Sequence, residues 1–264
     1  MIDAISPFTT APSSRYYYVT PQAQGVFKHM MQVPEEGLGL AIVAGPVGHG
    51  KSSLVRYYLD ALADKYPEGL TLLYVPNPTF ASDYQFVRHI CHEIGIPPRP
   101  NKYTQTEALK EWLVAQAEEG NTVLLVVDEA HRLNGKQLEV VRELFNFNTG
   151  EGFLINTLLV GEAQPLKQRL KNKEAIRSRA MFYDTLDAWT FADVDAVVRY
   201  RLTVAGLNPE AFHYSAIDTI YRTTEGNPRE VMKLCRALWD ERKDDMQIHA
   251  DDVSALLNKE ELVG

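Results

Sequence analysis

Several classes of protein are excluded by what this sequence lacks. Its 264 residues hold only two cysteines, Cys91 and Cys235, far apart and without metal-ligand spacing. A disulfide framework and a cysteine-bound zinc site are therefore excluded, and two reduced packing thiols are expected. No aliphatic run is longer than about five residues, where about 18 are needed to cross a bilayer. The opening Met1-Ile2-Asp3-Ala4 has neither the basic n-region nor the apolar h-region of a secretory leader. The expected compartment is the cytoplasm, with no membrane partner. Basic charge is in deficit, 27 Lys and Arg against 35 Asp and Glu for a net charge of −8. No global field draws the chain to nucleic acid, so DNA contact would need a local patch or repetition in an assembly. Repeats and low-complexity tracts are absent, and 45% hydrophobic content suffices for a sizeable core.

What is present is a phosphate-binding signature. Gly45-Pro46-Val47-Gly48-His49-Gly50-Lys51-Ser52 matches G-x-x-x-x-G-K-[ST] without a mismatch. It follows the apolar run Leu40 to Ala44 and leads into helix-like sequence through Ser53, the strand, loop and helix context the motif needs. The glycines let backbone N–H groups approach phosphate oxygens at the positive end of a helix. Lys51 then reaches the β- and γ-phosphates of ATP, and Ser52 offers a hydroxyl to Mg2+. A second apolar run, Val123 to Val127, ends in Asp128-Glu129. Asp128 is the second metal-side residue and Glu129 the general base that polarises water, which argues for hydrolysis over mere binding. His49 fills a variable loop position and His131 follows the acids; both read as solvated or supporting residues.

From Gly37 to Leu186 short β-rich runs alternate with longer amphipathic ones, the pattern of a mostly parallel sheet flanked by helices. Strands are expected at Leu40 to Ala44, Thr71 to Val75, Val123 to Val127, Asn156 to Val160 and Met181 to Leu186. Helices are expected at Lys51 to Lys65, Tyr84 to Ile94, Thr106 to Glu119, Lys136 to Asn148 and Leu166 to Lys171. The Pro-rich Ile96 to Lys102 reads as a stiff connector. From Phe191 only helical periodicity remains. The expected organisation is an α/β core over residues 1–188, with a five-stranded sheet, and a small helical lid over 189–264.

The order of these parts resembles the AAA+ ATPases. The closer similarity is to their ExeA-like group, which includes the transposition regulators TnsC and TniB. It is carried by Ser6-Pro7-Phe8, Tyr16-Tyr17-Tyr18-Val19-Thr20-Pro21-Gln22, Leu159-Val160-Gly161 and Gly226-Asn227-Pro228-Arg229. Asn227 reads as a helix cap with Pro228 at the first helical position, so Arg229 projects from the first turn. A cation opposes the helix dipole there unless an anion is near, and the resemblance implies that Arg229 touches the γ-phosphate as sensor 2. It also implies that Arg179, with Arg177 as fallback, completes a neighbour's site, and that Val19 and Pro21 border the adenine. A tyrosine cluster packing the sheet edge is the plain alternative for that segment. The sequence departs from the family at sensor 1, where the fourth strand runs into Gly161-Glu162-Ala163-Gln164. Either Glu162 points away and Gln164 or Asn156 orients the water, or hydrolysis is slow.

The resemblance further implies a homo-oligomer, ring or filament, that binds double-stranded DNA in its ATP state and recruits or activates a transposase. Arg99, Lys102, Tyr103 and Thr104, with Arg88 one helix earlier, form the candidate DNA patch, against a plain solvated loop. An ExeA-like ATPase energising secretion or envelope assembly is the alternative. A membrane segment and wall-binding module would then be expected after the lid, whereas the sequence ends at Leu262-Val263-Gly264, next to its last lid helix. A nucleotide-gated adaptor with little turnover is the third reading.

Overall fold

The apolar runs become the strands of one sheet. In the computed structural model, residues 6–150, 152–242 and 246–261 are described, so Met1-Ile2-Asp3-Ala4 and Leu262-Val263-Gly264 lie outside the described residues. In chain order the strands are β1 (Leu40–Gly45), β2 (Leu70–Val75), β3 (Thr122–Val127), β4 (Asn148–Thr149), β5 (Gly152–Phe153), β6 (Asn156–Glu162) and β7 (Tyr183–Thr185). Five form a parallel sheet in the order β2-β3-β6-β1-β7. This is the α/β architecture expected from the sequence. β1, β3 and β6 are almost wholly buried, which explains why they read as continuous apolar runs.

The helices are α1 (Pro21–Glu35), α2 (Lys51–Lys65), α3 (Asp83–Glu93), α4 (Lys102–Glu118), α5 (Gly135–Phe145), α6 (Ala163–Leu170), α7 (Glu174–Arg177), α8 (Phe191–Val204), α9 (Tyr214–Thr224), α10 (Pro228–Glu241) and α11 (Ala250–Glu261). Several ends differ from expectation for local reasons. α4 starts at Lys102 because the Asn101 side chain accepts from Thr104 N–H at 3.0 Å, so Lys102, Tyr103 and Thr104 form a first helical turn and not a connector. α5 stops at Phe145, and the chain turns into the β4–β5 hairpin. α6 begins before Pro165, whose missing N–H costs nothing in a first turn.

Two compact units divide the chain. One comprises Gly25–Pro46 and Tyr58–Thr185; the other comprises residues up to Gln24, Val47–Tyr57 and residues from Leu186 onward. The first holds the sheet, with a core of strand residues such as Ile42, Leu125 and Leu159 against Phe86, Leu109 and Leu144. In the second, α8 to α11 enclose a separate core around Val198, Ile217, Val231 and Phe212. Phe8 packs edge-on to Phe212, ring centres 5.4 Å apart. The buried Arg201 donates to the carbonyls of Pro7 (2.9 Å) and Thr9 (3.1 Å), and burial lowers its pKa to about 10. The N-terminal segment is thus part of the helical unit. Both cysteines are buried free thiols.

Candidate functional site

β1 delivers its C-terminal end to the phosphate loop, and α2 opens at Lys51. Gly48 has φ +82°, and a Cβ there would lie 2.7 Å from Asn227 Oδ1 and 3.1 Å from Arg229 Cβ. Only glycine satisfies both the left-handed backbone and the close approach. The first turn of α10 is hydrogen-bonded to this loop: Arg229 N–H donates to Gly48 O at 3.1 Å and Asn227 Nδ2 to Val47 O at 3.3 Å. Asn227 caps α10 as expected, its Oδ1 accepting from Arg229 N–H at 3.0 Å. The Arg229 side chain is exposed and its guanidinium has no hydrogen bond or ion pair among the described residues. Lys51 is buried, Ser52 and Ser53 are half-buried, and Pro46 and Val47 are exposed. The His49 ring bonds the carbonyl of Val47 at 3.0 Å, inside its own loop.

Asp128 and Glu129 occupy the end of β3, on the edge of the sheet reached also by the C-terminal ends of β1 and β6. Asp128 is 2% exposed, its N–H donates to Val75 O at 2.9 Å, and its carboxylate accepts from Glu129 N–H at 2.8 Å. Glu129 has φ +54° and ψ 32°, a left-handed conformation that costs a non-glycine residue about 1–3 kcal/mol and is found where surroundings enforce it. It opens a 3-10 turn, Ala130–Arg132, and its Oε2 lies 3.4 Å from Arg132 Nε and 3.7 Å from His131 Nε2.

His131, read from the sequence as a supporting residue, also stands 3.8 Å from Glu162 Oε1, and its Nδ1 accepts from the Glu162 N–H at 3.2 Å. Glu162 therefore turns toward the imidazole. Asn156 is removed from the sensor 1 alternatives. It sits at the opposite end of β6, roughly 20 Å away at 3.3 Å per residue, and its Oδ1 accepts from Gly39 N–H. Gln164 is exposed in the first turn of α6. What the sequence reading missed is the meeting of His131 with both acids; the only signal was the nearness of His131 to Glu129 in Asp128-Glu129-Ala130-His131, and nothing local pointed to Glu162.

The other expected residues are more dispersed. Arg179 is bonded to Asn146 and lies over the Phe145 ring at 5.2 Å. Arg177, at the end of α7, is exposed without a hydrogen bond or ion pair among the described residues. Val19 is half-buried and Pro21 is the exposed first residue of α1. The neighbouring tyrosines pack on helices and not on a sheet edge: Tyr17 against Tyr57 of α2 at 5.2 Å and Tyr18 against Tyr200 of α8 at 5.4 Å. Burial raises the pKa of Tyr17. In the candidate DNA patch, Lys102 is held by Glu143 at 3.0 Å and Asp83 at 3.3 Å, so its charge is already matched. Thr104 bonds Asn101; Arg88 and Arg99 are exposed and Tyr103 is 73% exposed.

The donors fit the ligands that the sequence implies. Ser52 and Asp128 offer the hard oxygen atoms that Mg2+ takes, and the glycine-bounded loop next to Lys51 suits a phosphate chain.

An AAA domain family model matches residues 35–170. General secretion pathway protein A of Aeromonas hydrophila is 30% identical over 238 residues, 88% of this chain and 42% of that protein. The chain thus spans less than half the length of this relative. Among solved structures, the ADPNP-ADP complexes of the Aeropyrum pernix ORC2 protein superpose with a TM-score of 0.66 at 16% identity, covering 94% of this chain and 69% of that one. The Aeropyrum pernix ORC1 protein in complex with DNA gives 0.64 at 16% identity, covering 93% and 67%. These structural likenesses establish a shared fold. No helix among the described residues is long and apolar enough to cross a membrane.

Proposed function

This chain belongs to the AAA domain family, the AAA+ ATPases, and on that premise we propose that it is a Mg2+-dependent ATPase acting as a nucleotide-gated switch on double-stranded DNA. The observation that carries the switch is the bond from Arg229 N–H to Gly48 O. A lid helix bonded to the phosphate loop through its backbone responds to what the loop holds. In this reading residues 45–53 bind the triphosphate, with Lys51 matching phosphate charge and Ser52 and Asp128 holding the metal. Val19 and Pro21 border the base. Bound Mg2+ offsets charge on the β- and γ-phosphates. Glu129 takes a proton from the attacking water, and the exposed guanidinium of Arg229, without an ion pair among the described residues, reads the γ-phosphate. Arg177, or Arg179 once released from Asn146, reaches a neighbouring subunit's nucleotide, which makes turnover depend on oligomerisation.

The partner end of the switch is duplex DNA, with a transposase as the protein it recruits or activates. Support comes from the resemblance of the sequence to the ExeA-like group with TnsC and TniB, and from the fold shared with a protein solved in complex with DNA. Arg88, Arg99, Tyr103 and Thr104 are the surface offered; Lys102 would first have to leave Glu143 and Asp83. Repetition of a few phosphate contacts along a filament lets an acidic subunit bind with strong salt dependence.

Two measurements test this reading. Glu129→Gln is expected to lower ATP turnover by roughly 10²- to 10⁴-fold, the usual contribution of a general base; equal, negligible rates in wild type and variant would favour the adaptor. Fluorescent duplex DNA is expected to bind with a non-hydrolysable ATP analogue and not with ADP. The 30% identity to a secretion-pathway protein favours a second reading, an ATPase energising secretion. Intact hydrolysis with no DNA binding in either nucleotide state would select it.

A further inference from the structure

The imidazole of His131 is set between two carboxylates by a backbone contact that fixes its proton. The N–H of Glu162 can only donate, so His131 Nδ1, 3.2 Å away, accepts, and in the neutral ring the proton lies on Nε2. Nε2 stands 3.7 Å from Glu129 Oε2 and 3.8 Å from Glu162 Oε1. Those separations exceed a direct hydrogen bond, so one N–H faces two acceptors and is committed to neither. The ring is 13% exposed, and two cations stand close to it: Arg132 beside Glu129, and Arg169 of α6, which donates to His131 O at 3.3 Å. Gly161 eases the arrangement, because a Cβ there would stand 3.2 Å from His131 N and 3.4 Å from its Nδ1, a tight contact. The three side chains also have the composition of a metal site. A metal on Nε2, however, would move the proton to Nδ1, where it would meet the Glu162 N–H head-on.

We infer that His131 is a positioning residue for Glu129: its Nε2–H engages the general base, and Glu162 competes for the same hydrogen. This rests on the hydrolytic reading and deepens it. Glu162, at the end of β6 where the family pattern has an uncharged residue, acts on the imidazole and not on the phosphate. When Nε2–H turns to Glu129 the carboxylate is held in one orientation; when it turns to Glu162 the base is released.

Side-chain isosteres separate this role from a structural one. Gln at position 131 places an N–H near the present Nε2 and loses the acceptor for the Glu162 N–H, whereas Asn keeps an acceptor near Nδ1 and loses the outer donor. His131→Ala and His131→Asn are expected to lower kcat by about 10- to 100-fold, the cost of misplacing a reacting group by about 1 Å. His131→Gln should stay within about threefold of wild type, and the affinity for a fluorescent ATP analogue should be unchanged in all three. An active Asn variant beside an inactive Gln variant would overturn the inference, leaving His131 as a prop for the β6–α6 turn. A readout independent of turnover is the 15N resonance of the His131 Nε2–H. It is expected to move in both Glu129→Gln and Glu162→Gln, and a resonance indifferent to both also overturns the inference. Failure of the hydrolytic reading would look different, with Glu129→Gln as active as wild type while the resonance still shifts.

Discussion

Single atoms decide much of this site. At Gly48 a methyl group would sit 2.7 Å from Asn227 Oδ1 on a backbone with φ +82°. Left-handed φ alone costs a residue with a Cβ about 1–2 kcal/mol. Gly48→Ala is therefore expected to lower the melting temperature by roughly 2–8 °C, at about 2–4 °C per kcal/mol for a chain of this size. It should also abolish binding of a fluorescent ATP analogue; a variant that still binds it with wild-type affinity would show that the approach of α10 to the loop is dispensable. Lys51, Ser52, Asp128 and Glu129 were legible as candidates because each lies in a motif whose spacing points to a chemistry. His131 and Glu162 were not. They are 31 residues apart, and only the pairing of β3 beside β6 brings them together.

Helix ends show the same division. Asn227-Pro228 announces the start of α10 because both residues act on their own backbone. The cap at Asn101 is equally local, yet the prolines before it drew the connector one residue too far and hid the first turn of α4. The β4–β5 hairpin holds only two residues per strand, too few for any periodicity. Caps also allow a controlled comparison. Asn134 caps α5 through a capping box with Gln137, whereas Asn227 caps α10 and reaches Val47 as well. Asn134→Ala and Asn227→Ala are each expected to cost about 1 kcal/mol in denaturant unfolding. Only the second should change the preference for ATP over ADP. Equal nucleotide preference in both variants would detach α10 from the switch.

For the whole molecule, acidity matters through carboxylates tied into ion pairs. Hydrogen bonds from Lys173 and then Arg142 hold the Glu139 carboxyl below its usual range, and a bond from Lys65 does the same for Glu35. A carboxyl depressed in the folded state contributes stability above its unfolded pKa and loses it as pH falls through the folded value. Thermal stability is expected to be nearly level from pH 8 to about 5 and to fall below about pH 4.5. Both pairs are partly exposed, so each contribution is small. Glu35→Gln with Glu139→Gln should make the acid descent shallower, measured by melting temperature from pH 3 to pH 7; an unchanged descent would assign acid lability to other groups.

The sequence by itself determined the five strands of the parallel sheet and the phosphate-loop motif, and it singled out Asp128 and Glu129 as the candidate metal-side acid and general base. A buried strand must be apolar throughout, and a phosphate cradle must have glycines at fixed offsets. The tertiary structure alone decided that the phosphate loop bonds the first turn of α10 and that Lys102 is matched by Asp83 and Glu143. It alone decided that one imidazole faces two carboxylates at the end of the sheet. Apart from Glu129 beside His131, these contacts join residues about 19 to 180 positions apart, and no local period or spacing records which distant side chain a fold will bring within reach.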